Sequence, residues 1–346
     1  MLTRILLTVC TLWLPTWALA ERTVTDSAGR TVTLPDRVER VYAAGPPASI
    51  LTYMVAPDTL TGWPRAHHAY ERPFISPEYV DLPITGRLTG RGSTANLELV
   101  LASKPDLILD FGSIRSTYVS LAEETQAQTG IPYLLIDGRF ENTAAALRLM
   151  GDILGVPERG ERLARYAETL FAEIDAVLAT LPEEARPSVY LARGPEGLET
   201  GVKGSINTEI IERVGGRNIA DYGEKIAMQR NLINMSMEEI LASDPDIILT
   251  WDRQFFDRVF RDPLWADVRA VKERRVYFAP SAPFGWIDRP PSINRLMGLK
   301  WLTGLLYPEH FQFDLKEAVR EYYQLFYHVD VAEADLNQLV SWSTPQ

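Results

Sequence analysis

Apolar positions recur in two distinct ways along this chain. Over 157–181, Leu163, Tyr166, Leu170, Phe171, Ile174, Val177 and Leu178 return every three or four residues, the spacing of one helical face. Pro157 near the start and Pro182 just past the end punctuate that stretch, so it predicts one long amphipathic helix. Elsewhere the pattern is short apolar-rich runs at 38–44, 107–109, 131–136, 188–192, 247–249 and 275–279. Runs such as LIL and IIL lack polar alternation and read as strands covered on both faces, as in parallel sheets. Helical stretches between them, such as 49–55 after Gly45-Pro46-Pro47, complete a βα pattern. Only 23–34, with alternating Val and Thr, reads as a hairpin.

An internal repeat organises these elements. Residues 101–109 read LASKPDLIL and 241–249 read LASDPDIIL, a register of 140 with seven of nine positions identical. Glu98 and Glu238 fall in the same register. Each copy predicts a short helix, a Pro-Asp turn and a buried strand. A period of 140 residues is too long for a solenoid unit and suits two lobes of similar plan. The expected architecture is α/β: two Rossmann-like lobes with mostly parallel sheets joined by one long rigid helix. The lobes are placed at 21–156 and 183–346, the latter carrying C-terminal helices, with the helix at 157–182 between them. No Gly/Ser-rich linker interrupts the chain, so the lobes are expected to flex little.

Residues 1–20 stand apart. Arg4 precedes an apolar run from Ile5 to Leu14, and Ala18-Leu19-Ala20 supplies the small residues of a cleavage site. The run is shorter than the roughly 20 apolar residues of a membrane span, so it reads as a cleaved signal peptide and predicts export. The only cysteine, Cys10, lies inside it, and Val9 is bulky where lipoprotein acylation needs a small residue. The mature chain then has no disulfide, no thiolate metal site and no cysteine nucleophile. Its 34 basic against 46 acidic residues give −12, with no Lys/Arg block, which disfavours nucleic acid and anionic membranes as partners.

Hydrolase and P-loop signatures are absent from the sequence. Gly90–Ala95 matches the dinucleotide pattern G-x-G-x-x-A, but no apolar strand precedes it, so it reads as a loop leading into the helix at 96–103. The loops at predicted strand ends are more informative. In open α/β sheets ligands bind where such loops converge, and these carry Trp63, Arg65, Arg87, Arg91, Arg139, Trp251, Trp286 and Arg289. Arginine forks grip oxyanions and aromatic rings cover apolar faces, so the set predicts a bulky anionic ligand. His67 and His68, adjacent in a polar loop, are candidate metal ligands; His310 and His328 read as surface or packing residues.

The chain resembles the periplasmic binding proteins for ferric siderophores, haem and vitamin B12. The resemblance is carried by 23–34 (TVTDSAGRTVTL), Arg40-Val41-Tyr42, 56–62 (APDTLTG), Asn96-Leu97-Glu98 with Lys104-Pro105-Asp106, Gly155-Val156-Pro157, 215–218 (GGRN) and 236–239 (SMEE). Within that family, 286–295 (WIDRPPSINR), 302–309 and 322–328 are similar to a metal-chelate branch that includes nickel–histidine-type chelate binders. The vitamin B12 binders carry a tryptophan before the second-lobe glutamate where this chain has Met228–Leu232, a departure that argues against cobalamin. The resemblance implies a monomeric periplasmic receptor, not an enzyme and without an intrinsic cofactor. Such a receptor delivers a metal chelate, ferric in the first instance, to an ABC permease dimer. It also implies that Glu98 and Glu238 dock onto the permease. Nickel/cobalt–histidine-type chelates and haem are alternative cargoes; an exported metal-dependent hydrolase using His67 or His68 is the alternative of another class.

Overall fold

The computed structural model describes residues 21–343 except 91, 93–95, 224, 225, 227 and 228. The proposed signal peptide and Cys10 lie outside the described residues. The chain opens with an antiparallel hairpin, β1 (Glu21–Thr25) and β2 (Thr31–Pro35). Its turn is built by Asp26, whose Oδ1 accepts the N–H groups of Ala28 and Arg30 at 2.9 Å while Gly29 takes a left-handed φ of 78°. Ser27 N–H then donates to Leu135 O, fixing the hairpin to the first sheet.

That sheet is parallel, in the order β3–β4–β5: β3 (Val41–Ala43), β4 (Leu107–Gly112) and β5 (Tyr133–Asp137). Around it lie α1 (Pro46–Val55), α2 (Leu97–Ala102), α3 (Ser116–Thr129) and α4 (Thr143–Ile153). The linking helix α5 (Pro157–Thr180) follows. It buries Leu163, Ala167, Leu170, Ile174 and Val177, the stripe its periodicity predicts. Gly151 and Gly160 let α4 and α5 approach so closely that a Cβ on either would lie under 3 Å from the other's backbone.

The second half contains β6 (Ser188–Ala192), β7 (Glu199–Gly201), α6 (Glu209–Arg213), β8 (Arg217–Asn218), β9 (Leu232–Asn234) and α7 (Met237–Ser243). β10 (Ile247–Thr250), α8 (Arg253–Val259), α9 (Arg269–Lys272) and β11 (Val276–Phe278) come next. The main sheet is parallel in the order β11–β10–β6–β8, while β7 and β9 form a small antiparallel pair. The repeat holds in detail. Asn96 and Ser236, 140 residues apart, cap α2 and α7. Lys104 and Asp244 both adopt left-handed φ, 46° and 40°. Asp106 and Asp246 each accept backbone N–H groups leading into the adjacent strand, from Glu39 and Arg40 in one lobe and Ser188 in the other.

The C-terminal helices α10 (Arg295–Leu306), α11 (Leu315–Tyr327) and α12 (Glu333–Ser343) are not confined to the second half. Tyr53 on α1 donates its hydroxyl to Tyr327 O, Phe74 packs edge-on against Tyr323, and Ser292 Oγ donates to Pro47 O. One continuous hydrophobic cluster therefore runs from Val32 through α5 to Leu339. The apolar face of α11, with Tyr322, Tyr323 and Phe326 buried, packs on α1 as well as on α10 and α12.

Candidate functional site

A cleft of about 660 Å³ opens where the carboxyl ends of both parallel sheets converge. Pro46 and Pro47 follow β3, Asp110 to Ser113 end β4, Arg193 follows β6, and the 281–291 segment follows β11. This is the position at which open α/β sheets bind ligands, because strand ends stop there while the loops remain free to vary.

Four arginines line it, Arg65, Arg87, Arg193 and Arg289, against three carboxylates, Glu71, Asp110 and Asp288. Arg65 holds Glu71 with a two-pronged contact at 2.8 and 2.6 Å. Burial opposes the Glu71 charge, but His67, Arg65 and the His68 N–H together hold its carboxyl down to about 2. Arg193 pairs with Glu199 at 2.8 Å and with the fully buried Asp288 at 3.0 Å. Asp288 Oδ1 also accepts Asn207 Nδ2 at 2.9 Å and the Arg289 N–H at 2.7 Å. Arg87 Nε donates to Gly92 O at 2.8 Å. Arg289 stands exposed at the rim with φ 69° and forms no ion pair among the described residues. Its guanidinium lies 4.5 Å from the centre of the Trp251 ring.

The expected ligand set is partly assembled here. Trp63, Arg65, Arg87 and Arg289 line the cleft, as do His67 and His68. Trp63 is buried, donates its indole N–H to Tyr79 O at 2.7 Å and meets His67 edge-on at 4.5 Å. Arg91 lies outside the described residues. Three expectations are corrected. Trp286 is in the core, 0% exposed, its indole N–H satisfied by Tyr323 Oη at 3.1 Å and its backbone pressed against Gly298. Arg139 is an exposed turn residue after β5 and does not line the cleft, because the carbonyl of Gly138 beside it is bound from within by Arg295. Trp251 does not line the cleft; the guanidiniums of Arg289 and Arg193, which do, lie 4.5 and 5.6 Å from its ring centre.

Both candidate metal ligands, His67 and His68, reach the cleft. His67 stands 3.5 Å from Glu71 Oε2 with both ring nitrogens buried, and His68 stacks parallel on Tyr70. Among the described residues no three His, Cys, Asp or Glu side chains come together in a metal-holding group. Residues that the sequence reading missed are Glu71, Asp110, Arg193 and Asp288. Arg193 was within reach, since it directly follows the predicted strand 188–192; the pairing of Asp288 with it is a long-range relation that no local pattern carries.

Two parallel α/β lobes, a single linking helix and a polar cleft at the strand ends define a solute receptor with the plan of bacterial binding proteins. The family profile for periplasmic binding proteins matches residues 42–283, and the chain belongs to that family. The molybdate-binding protein MolA of Haemophilus influenzae is 26% identical over 336 residues, covering 90% of this chain and 92% of MolA. A cobalamin-binding protein of Halobacterium salinarum is 28% identical over 237 residues, 65% of this chain and 57% of that protein. Among solved structures, an ABC transporter solute binding protein from Sulfurospirillum deleyianum superposes with TM-score 0.83 at 30% identity, covering 92% of this chain and 99% of that one. In class, the chain is a substrate-binding protein of the kind that serves ABC transporters. No described helix is long and apolar enough to cross a membrane.

Proposed function

We propose that this protein captures an anionic metal chelate, a ferric complex in the first instance, and delivers it in the periplasm to the permease of an ABC importer. The observation that carries the reading is the charge of the cleft: four arginines face three carboxylates, two of which are already tied to arginines. Charge-assisted arginine contacts to ligand oxygens supply about 1.5–3 kcal/mol each. The cleft volume, about 660 Å³, falls within the roughly 300–1,000 Å³ of pockets that enclose drug-sized ligands. A single tetrahedral oxyanion leaves most of it empty, whereas a metal wrapped in an organic chelator fills it.

A second reading, a molybdate-type oxyanion, is favoured by the likeness to MolA over nine-tenths of the chain. Titrating the purified protein with ferric citrate, sodium molybdate and cyanocobalamin, following tryptophan fluorescence and binding heat, separates them. Saturable binding of ferric citrate supports the chelate; tight binding of molybdate alone replaces it with the oxyanion. Binding of cyanocobalamin alone, or of none of the three, overturns both.

A further inference from the structure

Of the three carboxyl groups in the cleft, Glu71 and Asp288 are each held by an arginine. Asp110 is not. It lies near the carboxyl end of β4, just before the buried Phe111, at the cleft wall; it is 7% exposed and forms no ion pair among the described residues. Its Oδ1 accepts from Thr89 Oγ1 at 3.2 Å. The groups facing it from neighbouring elements are uncharged phenols: Tyr133 on β5, with Tyr42 on β3 beside it, and Tyr118 on α3. The titratable group of α1, Tyr53, is engaged by Ser76 and Tyr327. Among cations, Arg30 acts on Tyr133 and Arg115 on Tyr118. Arg87, which is bonded to Gly92 O, lines the same cleft, as do Arg65, Arg193 and Arg289.

We propose that Asp110 is a specificity-determining ligand contact that takes up one proton from solvent as an anionic ligand enters and donates that hydrogen to a ligand oxygen. The inference rests on the anionic-ligand reading above. A carboxylate and a ligand anion held side by side away from water cannot both stay charged, and the group with the higher proton affinity yields. A neutral carboxyl donates a short hydrogen bond to an anionic oxygen, turning a repulsion into an attraction. Burial has already brought the carboxyl part of the way, pushing it up to about 6. At pH 7.5 a further rise of about two and a half pH steps protonates it almost fully. Glu71, held low by its partners, cannot play this part.

The test is calorimetric titration at pH 7.5 with sodium molybdate and with ferric citrate, each in two buffers of different ionisation heat. Wild type is expected to take up close to one proton per ligand. Asp110→Asn, which keeps the shape and a donor, is expected to lose most of that uptake and to bind at least as tightly. Above pH 7 wild-type affinity should fall up to tenfold per pH step, and the variant's should stay flatter. As a check needing no variant, the Asp110 carboxyl carbon of labelled wild type should titrate near pH 6 when free and at least about two and a half steps higher with the bound anion. Binding with the same proton uptake in Asp110→Asn, or a carboxyl midpoint that does not move, overturns this proposal alone. Binding of neither probe overturns the anionic-ligand reading and this proposal with it.

Discussion

The guanidinium of Arg159, at the start of the linking helix, lies 3.0 Å from Nε2 of His328, the left-handed cap of α11. Arg159 also donates to Met54 O and Leu325 O, carbonyls in the last turns of α1 and α11. One cation thus closes two helix ends that otherwise keep unpaired carbonyls and a partial negative charge. Burial first, and Arg159 second, push the imidazole down to about 4. Being depressed below the unfolded value near 6.5, it contributes stability that is full above about pH 6.5 and is lost as pH falls toward 4. The contribution is at most about 3 kcal/mol, reduced by partial exposure. Chemical denaturation at pH 7.5 and 4.5 should show a larger loss for wild type than for His328→Asn, which tolerates the same backbone. Equal losses would assign the acid sensitivity elsewhere.

Arg295 predicts a second stability effect. It is 1% exposed and spans both halves, donating to Gly138 O at 3.0 Å and Ile206 O at 2.6 Å, pairing with Glu209 at 2.9 Å and covering the Phe140 ring. Arg295→Met should cost about 3–5 kcal/mol in denaturant unfolding, because Glu209 is left buried without its counter-charge. Adding Glu209→Leu should recover much of that loss. The same pin, with the α11–α1 contact, predicts little lobe closure; a large change in radius of gyration on ligand binding, by solution scattering, would contradict it.

The sequence made the skeleton legible because buried strands and an amphipathic helix write their burial into local periodicity. Ser188–Ala192 and the 157–180 helix follow directly from it. The 140-residue repeat exposed the two-lobed plan, down to paired caps at Asn96 and Ser236. The site was only half legible. Trp286 and Trp63 each follow a glycine in a loop, and nothing local tells that one packs under Gly298 while the other borders the cleft. The path of α11 onto α1 depends on tertiary packing across some 270 residues, as the Tyr53–Tyr327 contact shows.

Trp251 is expected to act through Arg289. Stacking of the guanidinium 4.5 Å from the indole centre limits the freedom of an arginine that otherwise swings at the rim. Arg289→Ala should weaken ligand binding by about 10- to 100-fold, the loss of one charge-assisted contact. Trp251→Phe should keep most of the affinity and Trp251→Leu should lose about 2- to 30-fold, through the lost cation–π support. In Arg289→Ala the Trp251→Leu change should have little further effect. Additive losses in the double variant, by titration, would mean that Trp251 acts instead through Arg193, 5.6 Å from its ring centre, or on the ligand itself.

Glu98 and Glu238 occupy the second positions of α2 and α7, both exposed and in repeat register. Leu101 and Leu241, in the same register, are also exposed, at 49% and 39%. A carboxylate in a helix's first turn gains about 0.3–1 kcal/mol from the macrodipole, which accounts for either glutamate alone. It does not account for an exposed leucine recurring one turn away on each lobe, where water is a poor neighbour. The resemblance to siderophore and vitamin B12 receptors implies docking onto a permease through these glutamates, and a pair of acidic knobs, each with an apolar pad, would fit a partner presenting two equivalent basic sockets. Each buried interfacial charge pair that is broken typically costs about 2–5 kcal/mol of association. Glu98→Ala with Glu238→Ala should therefore leave ligand affinity unchanged, lower folding stability by no more than about 2 kcal/mol, and sharply reduce transport into vesicles containing the reconstituted importer. Restoring either glutamate singly should recover part of the transport. Full transport by the double variant would leave the two carboxylates with helix stabilisation as their whole role.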